Sequence, residues 1–435
     1  NQCSNVETSR VADRRERRMC VAIGAKLLDR LLKRQIQIGR LDLTYPDGGK
    51  IIYGQRTAVP VRAQIKDARW IGRILRNPEL RVGEAYMDGA LTLCDRSIYH
   101  LLDLVWTNIY GDDGTAQNRG SAWLSRMMQG PNPPSRARRN VAHHYDLGDA
   151  LYRLFLDDDM QYSCAYFARP DMSLDEAQAA KKAHIARKLA IKPGHRVLDI
   201  GSGWGGLALG LARLGASDVL GITLSSEQLA TARKRATEQG LGNQVHFELA
   251  DYRSLDGQFD RIVSVGMLEH VGARHYSEYF ARIARLLSDD GVALIHTIGR
   301  TTPPGVTNPW IDKYIFPGGY IPALSELMRH IEQLRLHVLD IEVLRLHYAE
   351  TLRAWRKRFL DNADQAAALY DERFVRMWDF YLSGSELSFR HGDHVVFQLQ
   401  LGRRQDAVPL VRDYLYLRSP QDAATAANNA ATQRV

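Results

Sequence analysis

The sequence predicts an α/β protein: an open sheet with helices on both faces, preceded by a smaller mixed α+β domain. Three observations carry this. From about residue 140, short apolar runs alternate with amphipathic stretches, the pattern of strands and covering helices. One run, Val197–Ile200, leads directly into a glycine-rich turn and then a helix, as at the carboxyl edge of an open sheet. Between the two parts, residues 111–139 collect Gly111, Gly114, Gly120, Gly130, Pro131, Pro133 and Pro134 in a polar stretch, which reads as a linker.

Residues 10–40 are rich in Arg and Lys, and Val21, Ala25, Leu28, Leu31 and Leu32 recur at helical spacing. This fits an amphipathic helix on an anionic bilayer, and equally a helix packing on its own domain. Leu41–Tyr45 alternates, Pro46-Asp47-Gly48-Gly49 turns and Lys50–Tyr53 returns, a hairpin. Residues 61–108 look mixed and end in a helix around Ile98–Trp106. The small domain is therefore placed at 1–110, the linker at 111–139 and the large domain at 140–420. Strands are expected at Arg196–Ile200, Asp218–Thr223, Val245–Leu249, Phe259–Val265 and Gly291–Thr297. Helices are expected at Gly205–Leu214, Glu227–Gln239 and Tyr276–Leu287. The alanine-rich residues 421–435 read as a frayed tail.

With 435 residues, 45% hydrophobic and 25% charged, the composition is that of a globular chain and excludes disordered and fibrous classes. The net charge of +8 suits an anionic partner, either nucleic acid or an acidic membrane surface. The four cysteines, Cys3, Cys20, Cys94 and Cys164, are widely spaced. That argues against a disulfide framework or a zinc site and for a reduced, cytoplasmic setting. No run of apolar residues is long enough to span a bilayer, and the charged N-terminal stretch lacks the apolar core of a secretory signal.

The turn Asp199-Ile200-Gly201-Ser202-Gly203-Trp204-Gly205 is spaced D-x-G-x-G-x-G, not the G-x-G-x-x-G of dinucleotide folds. It resembles the first motif of Rossmann-like class I methyltransferases, which use S-adenosylmethionine. Asp199, Gly201, Gly203, Trp204 and Gly205 are thus expected at the cofactor. Such enzymes carry an acid after the second strand for the ribose. Here Thr223 stands at that strand end and Gln228 one turn into the next helix; both can bond hydroxyls without charge. Asp251 and Tyr252 follow the third strand. They are candidates for the adenine amine and ring, with a helix cap as the plain alternative for Asp251.

The missing acid and the phrase Gly221–Gln228 resemble the cyclopropane fatty acid synthase family, including its mycolic acid relatives. Other phrases agree in order: His144-Tyr145-Asp146-Leu147-Gly148, Met160–Phe167, Glu269-His270-Val271-Gly272, His296-Thr297-Ile298-Gly299, Trp310–Gly319 and His347-Tyr348-Ala349. The resemblance covers about 140–410, and the basic N-terminal domain resembles that of bacterial phospholipid-modifying members. It implies that Tyr162 and Ser163 contact the cofactor. It also implies that Cys164, Glu269, His296, Ile298 and Tyr348 hold a bicarbonate ion acting as base. Cys164, Glu269, His296 and Tyr348 are then the catalytic candidates, with Cys164 not a covalent nucleophile and no metal required. Taken singly, each reads as an ordinary packed, capped or ion-paired residue.

The implied chemistry is methylene transfer to a cis double bond of an unsaturated phospholipid. An alkene that attacks a sulfonium methyl becomes a cation, which must be kept from water and which aromatic faces stabilise. Trp310, Tyr314, Phe316 and Tyr320 are candidates for such a lining. The expected anion donors are backbone N–H groups near Cys164 and Ile298, the His296 ring and the Tyr348 hydroxyl, with Glu269 accepting the bicarbonate proton. The resemblance further implies a homodimer, bound peripherally to the inner face of the cytoplasmic membrane. Three rivals stay open. One is methyl or methylene transfer to the same double bond without ring closure. Another is a non-enzymatic membrane-binding module. The last is a nucleic-acid methyltransferase, disfavoured because Asn132-Pro133-Pro134-Ser135, which superficially resembles a base-flipping motif, precedes the first core strand; no nucleic-acid partner is expected.

Overall fold

The structure is a computed structural model that describes residues 23–110 and 148–416. The basic residues before 23, the linker 111–139, most of the His144–Gly148 phrase and the tail 421–435 lie outside the described residues. The chain divides into two compact units.

The first unit holds a four-stranded sheet in the order β2-β1-β3-β4, with β1 Arg40–Thr44, β2 Lys50–Gly54, β3 Pro60–Ile65 and β4 Leu91–Leu93. The predicted hairpin is β1–β2. Asp47 Oδ1 accepts the Gly49 N–H at 2.9 Å and Gly48 takes a φ of +85°, which only glycine adopts without strain. Strand β3 returns parallel to β1, and the alternating Leu41, Leu43, Val61, Ala63 and Ile65 are buried as period-2 strands require. Helix 23–35 turns Leu28 into this core. Its Ile23, Leu27 and Leu31, spaced four apart, stay exposed at 59%, 47% and 48%. The helix therefore packs on its own domain and still presents an apolar ridge.

The linear boundary at 110 does not close this unit, because Asn308–Ile315 and Trp355–Gly392 belong to it. Trp310 packs on Phe380 with ring centroids 4.7 Å apart and leaves no room for a side chain at Gly83. Lys313 and Tyr314 both bond Glu84 Oε1. A short N-terminal segment cannot bury a sufficient core alone, and these later aromatic residues complete it. Trp310 and Tyr314 are thus packing residues of the first unit, which corrects the expectation that they line a reaction channel.

The second unit carries a seven-stranded sheet in the order β10-β11-β9-β8-β5-β6-β7. Its strands are β5 Arg196–Ile200, β6 Asp218–Thr223, β7 Val245–Leu249, β8 Phe259–Val265, β9 Leu287–Arg300, β10 His337–Val343 and β11 His394–Gly402. Strands β5 to β9 pair in parallel, while β11 and β10 add antiparallel at one edge. From β5 the chain runs outward through β6 and β7, then returns to β8 on the other side. This is a topological switch point, where open α/β sheets bind ligands at strand carboxyl ends. Separate apolar clusters, one around Phe280 and Ile283 and one around Leu207 and Leu211, form its two cores.

Candidate active site

The glycine turn leaves β5 at the switch point. Gly201, Gly203 and Gly205 have φ of +83°, +54° and +82°, and the Gly201 and Ser202 N–H groups both donate to Ile222 O at 2.9 Å. At Gly205 a Cβ would come within 2.6 Å of the Phe247 ring, whereas at Gly203 nothing lies within 4 Å. The first glycine is therefore needed for internal packing. The second keeps a surface bare for a ligand. A cleft over this turn is lined by Gln161, Tyr162, Ser163, Asp199, Gly201, Gly203, Trp204 and Gln228, with Val265 and Gly266 from the end of β8. Most of the expected cofactor residues thus share one cavity.

Burial fixes the properties of several of them. Asp199 is fully enclosed with its Oδ2 unpartnered among the described residues, and desolvation pushes its pKa up to about 7 against the opposing field of Lys181. Trp204 Nε1 donates to Asp149 Oδ1 at 2.6 Å, tying the turn to the helix Asp149–Arg153. The Tyr162 ring packs edge-on against Tyr152 at 5.2 Å.

Three expected cofactor residues sit differently. The Thr223 hydroxyl donates to Gln228 Oε1 at 2.9 Å and accepts the Ser225 N–H. Gln228 alone of the pair lines the cleft, and Thr223 orients it from behind. Asp251 caps the short turn Tyr252–Ser254, and its two oxygens take Arg253 Nε and Nη2 at 2.9 and 2.6 Å. The plain alternative, a cap held by an ion pair, is what forms. Tyr252 is buried edge-on to Tyr279 at 5.4 Å, with the Arg253 guanidinium over its ring.

Three of the five expected anion-site residues, Glu269, His296 and Ile298, lie on β9 and in the turn after β8. Glu269, in a short 3₁₀ turn after β8, reaches across so that its Oε1 accepts the Ile298 N–H at 2.6 Å. His296 and Ile298 are two apart on β9 and share a face. Gln398, directly opposite His296 on β11, places its Nε2 3.1 Å from His296 Nδ1. Three buried atoms of these residues have no partner among the described residues: Glu269 Oε2, His296 Nε2 and Gln398 Oε1. Burial pushes the Glu269 pKa up to about 7 and lowers that of His296 to about 3, the latter helped by the positive fields of Lys181 and Lys188. The imidazole is therefore neutral. With the Gln398 amide in this orientation its Nε2 donates to Nδ1, which assigns the ring proton to Nε2.

Cys164 is buried and its Sγ donates to Ala165 O at 3.3 Å; desolvation pushes its pKa far up, so it stays a thiol. The Ala165 N–H donates to Thr351 Oγ1 at 3.0 Å, which joins this segment to the helix His347–Asp361 three residues beyond the buried Tyr348. The structure corrects one donor: the Ile298 N–H is already used by Glu269. Tyr320 packs in the main core with its hydroxyl on Glu326, and Phe316 lies edge-on to His270 at 5.7 Å.

Sequence reading missed Lys181, whose Nζ donates to Gln161 Oε1 and Ser163 Oγ at 2.8 and 2.7 Å. The signal for its helix, Leu174–Lys188, was the capping box Ser173–Glu176. Nothing local marks Gln398.

Comparison with known proteins bears on this site. Residues 133–399 match the family model for mycolic acid cyclopropane synthetase, and residues 27–109 match a domain of unknown function. The chain is 39% identical over 354 residues to the cyclopropane-fatty-acyl-phospholipid synthase of Escherichia coli K12, covering 80% of this chain and 89% of that protein. It is 38% identical over 401 residues to the tuberculostearic acid methyltransferase UfaA1 of Mycobacterium tuberculosis, covering 88% and 92%. Among solved structures, the mycolic acid cyclopropane synthase CmaA1 complexed with SAH and CTAB superposes with a TM-score of 0.58 at 35% identity, covering 61% of this chain and 97% of that one. The glycine cradle, the switch-point cleft and these likenesses agree: the chain belongs to the mycolic acid cyclopropane synthetase family and is an S-adenosylmethionine-dependent methyltransferase.

Proposed function

We propose that the chain is a cyclopropane-fatty-acyl-phospholipid synthase, which transfers a methylene from S-adenosylmethionine to a cis double bond of a phospholipid acyl chain through a carbocation. The observation that carries this reading is the pair of buried, unpartnered atoms, Glu269 Oε2 and His296 Nε2, beside the Glu269–Ile298 clasp. The bound cofactor supplies a methyl already activated on a sulfonium, so the chain need only position the alkene and manage charge. Its buried walls exclude water from the acyl cation. A proton must then leave the transferred methyl for the ring to close.

The residues present fit a small oxyanion at this point. Neutral His296 offers an N–H, and Glu269, held by Ile298 with a pKa raised to about 7, offers an oxygen that accepts an O–H. Hydrogencarbonate has the matching acceptor and donor and, when bound, would supply a base that is not covalently part of the chain, so that no ester links lipid to protein. Cys164 and Tyr348, both buried, are proposed to complete the surround.

A second reading, methyl or methylene transfer without ring closure, is favoured by the likeness to a tuberculostearic acid methyltransferase over 88% of the chain. On either reading we place the enzyme peripherally on the inner face of the cytoplasmic membrane, as a homodimer. The net charge of +8 and the apolar ridge of helix 23–35 support the membrane contact. No described helix is long and apolar enough to cross a bilayer. Incubating the chain with S-adenosylmethionine, hydrogencarbonate and dioleoyl phospholipid vesicles tests the proposal by proton NMR of the recovered acyl chains. High-field ring protons support the synthase, and new exomethylene or branched-methyl signals support the second reading. Unaltered oleoyl chains sink both.

A further inference from the structure

The helix Leu174–Lys188 buries a charge that the chemistry above leaves unused. Lys181 has no exposed surface. Its Nζ donates to Ser163 Oγ at 2.7 Å and to Gln161 Oε1 at 2.8 Å, and both partners are neutral. Among the described residues no carboxylate ion-pairs with it. Asp159, the nearest candidate in sequence to those partners, is already paired with Lys182 and Arg235. Asp157 is occupied by the N–H groups of Asp159 and Gln161.

A buried ammonium that meets only neutral oxygens is costly unless an anion completes its surroundings. The arrangement shows where that anion would lie. Ser163 lines the cleft. Its oxygen accepts from Lys181, so its own O–H is left to donate, and an ammonium behind a hydroxyl polarises that second bond. Gln161 also lines the cleft, but it turns one of its two amide N–H groups to Asp159 Oδ2 at 3.0 Å.

We propose that Lys181 is a positioning residue which, through the Ser163 hydroxyl, supplies the positive charge that holds a carboxylate-type anion in the cleft. Two ligands share that chemistry: the α-carboxylate of the cofactor's amino-acid end, and hydrogencarbonate. The proposal rests on the reading of the cleft as the cofactor site. Burial lowers the Lys181 pKa to about 8, with the Asp157 and Asp159 carboxylates drawing it up and Lys182 pressing it down. It is therefore mostly charged at neutral pH, and a bound anion would hold it so.

The test compares binding of S-adenosylhomocysteine with that of 5′-methylthioadenosine, which lacks the amino-acid end, by calorimetry on the full chain. Lys181→Met and Ser163→Ala are each expected to weaken S-adenosylhomocysteine about tenfold or more and to leave 5′-methylthioadenosine within about twofold. The double variant should be no weaker than the worse single one. If hydrogencarbonate is the anion held instead, both nucleosides bind as before and the hydrogencarbonate concentration for half-maximal turnover rises. Equal losses for both nucleosides mean a merely structural lysine and overturn the proposal, as does no change in any of the three measurements. Should Lys181→Met fail to fold, Lys181→Gln, which keeps a donor for Ser163 and removes the charge, takes its place with the same outcomes. If the unaltered chain binds neither nucleoside, the cofactor reading of the cleft falls, and this inference with it.

Discussion

At Glu269 one carboxyl oxygen is committed to the Ile298 N–H while the other meets no partner among the described residues. Desolvation raises the pKa of this group from its ordinary 4.5 to about 7. Between those values the folded chain keeps a proton that the unfolded chain has released. Stability from this group is therefore full below about 4.5 and is lost as pH rises through about 7. Asp199 acts in the same direction. Glu269→Gln keeps an oxygen for Ile298 and removes the charge. It is expected to match the parent in stability at about pH 5 and to exceed it by about 1–3 kcal/mol at about pH 8. Turnover should fall about 100-fold or more at both. Denaturant titration at the two pH values, with product assay, checks this; a gain that is the same at both pH values would show that the carboxyl is not buried in its charged form.

Within the elements around the cofactor, the glycines of a single turn serve different ends. Gly205 starts the helix Gly206–Arg213 in the left-handed region, with Phe247 and Ala232 against its missing side chain. Gly203 is also left-handed but faces open space. Gly205→Ala is expected to destabilise the ligand-free chain by about 3 kcal/mol or more, through both strain and overlap. Gly203→Ala should lose only about 1 kcal/mol, yet bind S-adenosylhomocysteine far more weakly, because its methyl occupies the ligand's approach. Thermal melts with and without ligand separate the two. Equal behaviour of the two variants would show that the turn is a structural corner only.

For the molecule as a whole, the +8 charge and the ridge Ile23, Leu27 and Leu31 on a helix carrying Lys26, Arg30, Lys33 and Arg34 predict binding to acidic lipid. Cosedimentation with phosphatidylglycerol vesicles should weaken on the order of tenfold between about 0.05 and 0.5 M salt, as screening shortens the reach of the charges. Replacing Leu27 and Leu31 together by Ser should weaken it again by about tenfold through lost apolar burial, with the fold unchanged because neither side chain is in the core. Salt-independent binding, or equal binding to phosphatidylcholine, would refute the electrostatic part.

How much of this was legible in the chain depends on the range of the forces involved. Strands β5, β6, β7 and β8 lie where apolar runs and turn residues put them, and so does the β1–β2 hairpin, since period and turn chemistry are local. The same holds for the glycine turn, whose spacing alone separates it from dinucleotide loops. The helix Leu174–Lys188 escaped because its buried positions include Gln178, Lys181, His184 and Lys188, a face that no apolar periodicity reveals. Likewise, nothing near Asp251 says that Arg253 will occupy its carboxyl, and nothing near Trp310 says that it will pack with Phe380. The parallel sheet, the cofactor turn and the family phrases are written in adjacent residues and could be read from them. Which groups carry charge and which atoms are already bonded emerges on folding: the Glu269–Ile298 clasp, neutral His296 and enclosed Lys181. Those properties come from burial and from contacts between residues far apart in the chain.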